Sequence, residues 1–114
     1  MRVENSTKNT SLGHHIVHAT QLLARMKGLL GKQALQEGHG LWIEPCTSIH
    51  TFFMKFPIDV VFLSKNNVVV KTRARLLPFR MDFGSGEGVK VLELPVGTID
   101  RTQTRVGDLL TFVL

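Results

Sequence analysis

Apolar and polar residues alternate with a period of two along much of the chain, which is the pattern of β-strands that bury one face. In residues 68–76, Val70, Thr72 and Ala74 alternate with three basic residues. Residues 59–63 are apolar apart from one carboxylate, which is typical of a buried strand. Strands are predicted at residues 2–5, 14–19, 41–44, 59–63, 68–76, 89–94 and 109–114.

Residues 20–30 have the spacing of an amphipathic helix. Leu22, Met26 and Leu29 fall near one helical face, and Thr20 can cap the first turn. One short helix is therefore predicted in this segment.

Two polar stretches are predicted to form turns. Residues 64–67 end in asparagine, which tolerates the left-handed backbone of a hairpin, so we expect the strands at 59–63 and 68–76 to pair. Residues 7–13 are rich in threonine, asparagine and serine and are also predicted to be a turn region.

Residues 78–88 are predicted to form a long irregular loop. Three glycines among its last five residues indicate mobility or close contact with a ligand. Phe79, Met81 and Phe83 alternate along this segment. We therefore expect the loop to lie as a lid over apolar surface.

Together these elements indicate a mostly β protein of the α+β class. The predicted architecture is a small antiparallel barrel or a strongly curled sheet, with one short helix at about residues 20–30. The 114 residues suffice for one hydrophobic core but not for two, so a single domain over residues 1–114 is predicted.

Composition narrows the class of protein. The 43% hydrophobic and 20% charged fractions are those of an ordinary globular protein, and no apolar run approaches the length of a membrane-spanning helix. The first residues lack the apolar core of a secretion signal. The one cysteine, Cys46, cannot form an internal disulfide, which fits a reducing compartment. We predict a cytoplasmic protein without a membrane span.

The net charge of +5 raises the question of an anionic partner. Lys71, Arg73 and Arg75 form a basic stripe at period two on the predicted strand. We interpret this stripe as the solvated outer face of a sheet. No aromatic residues are interleaved with it, which disfavours nucleic acid and leaves acidic small molecules or proteins as the alternative.

The segment 45–63 contains the residues best suited to chemistry, Cys46 and His50. On a regular strand their Cα atoms would be about 13 Å apart, whereas a nucleophile–base pair needs about 3 Å between heavy atoms. A thiol–imidazole enzyme would therefore require a bulged conformation after Pro45. A metal site built from His39, Cys46 and His50 would require separate segments to converge. The favoured interpretation is a buried cysteine and a core histidine, with no cofactor.

Asp59 lies between Ile58 and Val60, so its carboxylate must reach water, a cation or hydrogen-bond donors. Arg25 and Lys55 are the candidate cations. We predict an ion pair between Asp59 and Arg25 that ties the sheet to the helix. The alternative is a recognition role at the rim of a pocket under the predicted loop. The candidate pocket residues are His50, Phe52, Met54, Lys55 and Asp59.

Several short motifs carry a resemblance to a known family. They are Arg25-Met26-Lys27-Gly28-Leu29-Leu30-Gly31, Gly40-Leu41-Trp42, Phe53-Met54-Lys55, Pro57-Ile58-Asp59-Val60-Val61-Phe62, Val91-Leu92-Glu93-Leu94-Pro95-Val96-Gly97-Thr98 and Val106-Gly107-Asp108. In this order and spacing, from about Ile16 onward, the chain resembles the prokaryotic family called domain of unknown function 192. The resemblance implies a compact, mostly β domain with a short helix, and it implies no established reaction. Many relatives have tryptophan where this chain has Phe53, and many lack a Cys–His pair, so chemistry at Cys46 and His50 would belong to a subgroup.

The predicted function is a non-enzymatic accessory module that binds an unidentified small molecule or protein. The alternative, an enzyme or metal-binding protein, depends on Cys46 and His50. The two interpretations differ in whether Cys46, His50 and Asp59 converge on one cavity.

Overall fold

The computed structural model describes residues 1–19, 35–52, 54–84 and 86–114. In chain order its elements are β1 (Arg2–Asn5), β2 (Thr10–Gly13), β3 (His15–Ala19), β4 (His39–Ile43), β5 (Ser48–His50), β6 (Ile58–Leu63), β7 (Val69–Leu76), β8 (Met81–Phe83), β9 (Lys90–Leu94), helix α1 (Thr98–Thr102) and β10 (Leu110–Val113). No helix in these ranges is long and apolar enough to cross a bilayer. The helix predicted at residues 20–30 lies outside the described residues. The mostly β, α+β class is confirmed.

A five-stranded sheet with the order β3-β4-β9-β6-β7 forms the middle layer of the fold. Two of its inner strands, β9 and β6, are buried at every residue. Strands covered on both faces must be apolar at most positions, which accounts for the apolar run of β6. Alternate side chains of β6 enter two hydrophobic clusters, one on each face of the sheet.

The two faces are covered by different segments. On the first face, the chain that follows β4 packs on the sheet; cluster one contains Ile43, Cys46, Ile49, Met54, Phe56, Ile58, Val60, Phe62, Leu76 and Val91. On the second face lies a three-stranded sheet with the order β10-β1-β2. Cluster two contains Val3, Leu12, Ile16, Val61, Leu63, Val69, Leu92, Leu94, Ile99 and Leu110.

The hairpin predicted across residues 64–67 is confirmed, because β6 and β7 pair antiparallel. Asn67 has a φ of 67°, and its N–H donates to the Ser64 carbonyl at 3.0 Å. The all-antiparallel arrangement is wrong for one pair, since β3 and β4 run parallel. Parallel neighbours need a long crossover connection, and residues 20–38 separate these two strands.

Two strands occupy segments that the sequence pattern assigns to turns or loops. β2 lies in the predicted turn region 7–13 and pairs with β1. β8 lies in the predicted loop 78–88 and pairs with β5. Both strands are only three or four residues long. Their extended conformation depends on hydrogen bonds to a partner strand rather than on their own β-propensity.

The barrel alternative is not supported. A barrel requires every strand to pair on both sides, whereas in the described part of the chain β3 and β7 end one sheet, and β10 and β2 end the other. Only local contacts join these margins, such as the bridge between Val68 and Leu109 and the bond from Ile16 N–H to the Met1 carbonyl at 3.0 Å. The sheets therefore stack as open layers.

Gly40 marks a close approach between β4 and β9. A Cβ atom at this position would lie 2.7 Å from the Glu93 carbonyl oxygen, closer than a side chain can approach a backbone. Glycine is therefore required here by packing. This gives a structural reason for the glycine of the Gly40-Leu41-Trp42 motif.

Candidate binding surface

The Asp59 carboxylate is buried on the cluster-two face of β6 and is 1% exposed. Its Oδ1 atom accepts the N–H of Arg75 at 2.9 Å. Its Oδ2 atom accepts the N–H groups of Ile99 at 2.9 Å and Gly97 at 3.2 Å. The first N–H groups of a helix have no partner within that helix. Asp59 therefore links β6 both to β7 and to the first turn of α1.

The predicted ion pair between Arg25 and Asp59 stays a prediction, because Arg25 lies outside the described residues. Within those residues, no lysine or arginine forms an ion pair with Asp59. Lys55, the other candidate cation, is exposed. The buried carboxylate of Asp59 therefore obtains its hydrogen bonds from backbone N–H groups.

A second buried carboxylate, Asp108, joins β1 to the turn before β10. Its Oδ2 atom accepts Asn5 Nδ2 at 3.0 Å, Lys8 Nζ at 2.8 Å and the N–H of Arg105 at 3.0 Å. Burial alone would raise the pKa of Asp108, but the hydrogen bonds from Asn5, Lys8 and the Arg105 N–H outweigh it and hold the pKa below its ordinary value. The ionised form of Asp108 is therefore favoured by the fold.

The five predicted pocket residues do not share one surface. Asp59 lies on the cluster-two face, whereas Met54 is buried in cluster one. Lys55 is exposed. His50 and Phe52 are half-buried and stack on each other, with ring centroids 4.7 Å apart. Of the five, the structure brings together His50 and Phe52.

Cys46 and His50 lie in different surroundings. Cys46 is buried in cluster one, and its thiol donates to the Ser48 carbonyl at 3.0 Å. Ile49 also enters cluster one, so the next residue of β5, His50, points to the opposite side of the strand. The His50 Nδ1 atom accepts the N–H of Phe52 at 3.3 Å. Cys46 and His50 therefore do not lie on one regular strand, since β5 begins only at Ser48.

The alternative metal site does not form among the described residues. His39, Cys46 and His50 all lie in that part of the chain, yet it contains no group of three His, Cys, Asp or Glu side chains that could hold a metal ion. His39 instead stacks on His15 of the neighbouring strand, with ring centroids 4.8 Å apart.

The basic stripe is interrupted by a bulge. Arg73 lies opposite Val60, but the register then shifts, so that Ala74 and Arg75 fall across from Asp59. Arg75 has a φ of 54° and leaves the period-two row. Lys71 is also not simply solvated, because its Nζ contacts Asp82 Oδ1 and the Phe83 carbonyl, each at 2.7 Å. Arg73 and Arg75 are exposed.

β5 and β8 form a small outer layer over cluster one. In their antiparallel register, His50 lies opposite Met81 and Ser48 lies opposite Phe83. Opposed residues point to the same side of a sheet, so these side chains share the side that faces away from the core. Ile49, on the inner side, packs in cluster one.

The outer side of this layer exposes large apolar groups. Met81 and Phe83 are 53% and 57% exposed, and Phe79, just before β8, is 62% exposed. The segment predicted as a lid does contribute β8 to the layer over cluster one, but these three side chains are more than half exposed. We refer to His50, Phe52, Phe79, Met81 and Phe83 as the β5–β8 face.

Thr51 positions this face, and sequence reasoning missed it. The Thr51 hydroxyl donates to the Leu77 carbonyl at 2.6 Å and accepts the N–H of Arg80 at 3.0 Å. The Thr51 carbonyl accepts the N–H of Phe79 at 3.0 Å. These bonds hold Phe79 at a φ of 61°, which is rare for a bulky residue. A threonine among apolar residues gives no sequence signal for such a role.

Comparison with known proteins identifies relatives over different lengths of the chain. A UPF0127 protein of Thermococcus sibiricus is 41% identical over 61 residues, which are 54% of this chain and 39% of that protein. The match therefore spans well under half the length of this curated relative.

Two crystal structures have the same fold. One is a protein of unknown function from Novosphingobium aromaticivorans, with a TM-score of 0.76, 20% identity, and coverage of 97% of this chain and 82% of the other. The second, from Sinorhizobium meliloti, is provisionally described as a transcription regulator; its TM-score is 0.77 with 21% identity, over 96% of this chain and 89% of the other. At these identities the likeness shows the fold alone.

The family comparison covers nearly the whole chain. The profile of the DUF192 family, described as "Uncharacterized ACR", matches residues 3–112. This range contains every motif on which the sequence resemblance rests. The chain therefore belongs to the DUF192 family.

Proposed function

We propose that this chain is a non-enzymatic binding module whose contact surface is the β5–β8 face. One observation carries the proposal: Phe79 adopts a left-handed backbone conformation and is nevertheless 62% exposed. A bulky residue in that conformation costs about 1–2 kcal/mol. Strain of this kind is characteristic of ligand-binding and switch regions.

The neighbours of Phe79 support the same role. Met81 and Phe83 are also more than half exposed, and the His50–Phe52 stack lies on the same outer side. A contiguous exposed apolar patch is a common mark of an interaction site. A fold that needed these side chains only for stability would bury them.

Two of the three residues considered for chemistry, Cys46 and Asp59, are used for structure, which supports binding rather than catalysis. The Cys46 thiol is bonded to the Ser48 carbonyl within cluster one, and the Asp59 carboxylate is bonded to three backbone N–H groups. Neither group lies on the β5–β8 face. The contact surface would therefore act through shape, apolar contact and charge.

Site-specific photo-crosslinking in the native host tests this proposal. A benzoylphenylalanine placed at Met81 or Phe83 keeps a large apolar group at the face, so it should capture the partner on irradiation. Val106 and Leu109 are matched controls, because both are exposed apolar residues elsewhere on the molecule, at 65% and 45%. Adducts from positions 81 and 83 but not from 106 and 109 are expected. Equal labelling from all four positions, or none from any, would contradict the proposal.

A further inference from the structure

The exposed apolar groups form a strip along one short segment. Leu77, Phe79, Met81 and Phe83 are 43%, 62%, 53% and 57% exposed, and they occupy alternate positions. The five residues from Phe79 to Phe83 would span about 13 Å if fully extended. Because each side chain projects from the surface, a rigid protein partner would need a matching row of pockets, whereas a deformable apolar medium would not.

The backbone of β8 is poorly suited to adding a further strand. Thr51 N–H donates to the Arg80 carbonyl and Gly84 N–H donates to the Thr47 carbonyl, so even-numbered residues bond toward β5. Phe83 therefore directs its backbone groups away from β5. There, its N–H donates to Asp82 Oδ1 and its carbonyl accepts Lys71 Nζ. A partner would contact the side chains of this strip rather than extend the sheet at Phe83.

Exposed arginines lie within the strip segment and on β7, whose Lys71 contacts Asp82 and Phe83 of β8. Arg73, Arg75 and Arg80 are all exposed, and within the described residues none of them forms an ion pair with a carboxylate. The acidic side chain of β8, Asp82, is already neutralised by Lys71 at 2.7 Å. Two copies of the chain meeting through this face would bring their arginines together, so self-association is disfavoured and an anionic partner is favoured.

We infer that the β5–β8 face docks on an anionic lipid surface. Phe79, Met81 and Phe83 enter the boundary between headgroups and acyl chains, and Arg73, Arg75 and Arg80 bind lipid phosphate and carboxylate groups. This is interfacial attachment from one side of the bilayer. The inference rests on the proposed function, since it names the partner of the same surface.

Co-sedimentation with lipid vesicles tests the inference directly. The purified chain is mixed with vesicles of phosphatidylcholine alone, or with about 30% phosphatidylserine. We expect binding to the anionic vesicles that weakens at least several-fold between about 0.1 M and about 0.5 M salt, because the electrostatic contribution is screened. The triple variant Phe79→Ser, Met81→Ser, Phe83→Ser should bind at least about tenfold more weakly.

Two matched controls separate this face from general effects. Val106→Ser with Leu109→Ser removes exposed apolar groups elsewhere and should bind like the wild type. Arg73→Gln with Arg80→Gln should weaken binding about three- to tenfold and flatten the salt dependence. Arg101→Gln with Arg105→Gln makes the same change in charge near α1 and should have a smaller effect. Thermal melting of each variant shows whether it is folded.

The outcomes for the partner and for the surface are distinguishable. Absence of binding to anionic vesicles, or equal binding by the triple variant while it remains folded, would overturn the lipid inference. If crosslinking at Met81 and Phe83 then yields protein adducts, the binding module stands and its partner is an acidic protein. If crosslinking also fails, the proposed function fails with it.

Discussion

The two faces of the five-stranded sheet differ in where they place unusual residues: one face buries carboxylates, and the other exposes large apolar side chains. On the cluster-two side, the buried carboxylates of Asp59 and Asp108 are bonded entirely to groups within the described fold. On the cluster-one side, the β5–β8 layer leaves Phe79, Met81 and Phe83 in solvent. The buried carboxylates on the first side stabilise the fold. The apolar residues exposed on the second side do not, so their exposure needs another explanation.

This difference bears on the family motifs. Asp59, Gly97 and Asp108 belong to those motifs and all lie in the hydrogen-bond networks on the cluster-two side. Phe79 and Met81 belong to none of them. The motif residues Asp59, Gly97 and Asp108 therefore serve the fold. The β5–β8 face, the candidate contact surface, lies outside the motifs.

The largest expected effect is that of Asp59→Asn. In the variant, an amide NH₂ group would replace one carboxylate oxygen and face backbone N–H groups, which are also donors. We therefore expect the free energy of unfolding to fall by about 3 kcal/mol. Urea denaturation measures this change. Asp100→Asn, an exposed carboxamide substitution in α1, is the control and should change stability by less than about 0.5 kcal/mol. Similar stability of both variants would show that the Asp59 network is not structural.

Asp108→Asn should reduce stability at neutral pH by about 2 kcal/mol, since it removes a charged acceptor from three donors. Because the folded-state pKa is lowered, the ionised carboxylate stabilises the fold above the unfolded pKa, near 3.8, and this contribution is lost as pH falls through the lower folded value. The difference between wild type and variant should therefore shrink below about pH 4. Denaturation at a series of pH values tests it, and a difference that does not change with pH would refute the assignment.

Thr51→Val tests whether the β5–β8 side is held by one residue. The isosteric change removes the hydroxyl bonds to the Leu77 carbonyl and the Arg80 N–H, so we expect a loss of about 1–2 kcal/mol. Hydrogen exchange of the Phe79 and Arg80 amides should accelerate more than that of β6. Thr47→Val, at an exposed threonine of the same segment, serves as the control. Unchanged exchange would mean that the turn is held by other contacts.

The smallest expected effect has the opposite sign for stability and binding. Phe79→Gly relieves the left-handed conformation, so stability should rise by about 0.5–1 kcal/mol or stay constant, after the entropy cost of glycine is included. Binding through the β5–β8 face should nevertheless weaken. Phe83→Gly, within a strand, should instead lower stability by about 0.5–1 kcal/mol. If Phe79→Gly is clearly destabilising, the strain argument for the face is wrong.

The long strands could be predicted because their signals are local. The apolar run of β6 and Asn67 in the following turn identify that hairpin from the sequence alone. β2 and β8 could not be predicted in this way, since each is too short to show a period and depends on a partner segment.

The polar contacts were harder to predict for a related reason. The pattern around Asp59 indicates a need for partners and suggests cations, yet the observed donors are backbone N–H groups. Every residue except proline has such a group, so the donors leave no mark in the sequence. Glu93 is a second example of a residue that the local pattern does not describe. Its alternation with leucines is typical of a solvent-facing residue. It is nevertheless only 9% exposed, because another layer covers its face of the sheet.

The pairing of β1 with β10 has a consequence for how this chain acquires its structure during synthesis. Arg2 lies opposite Val113, and Asn5 bonds Asp108 from 103 positions away. Contacts so distant along the chain close late and slowly. Until β10 has left the ribosome, Val3 and Leu12 lack the strand that completes their layer, so this part of the core forms only after residues 110–113 have been synthesised.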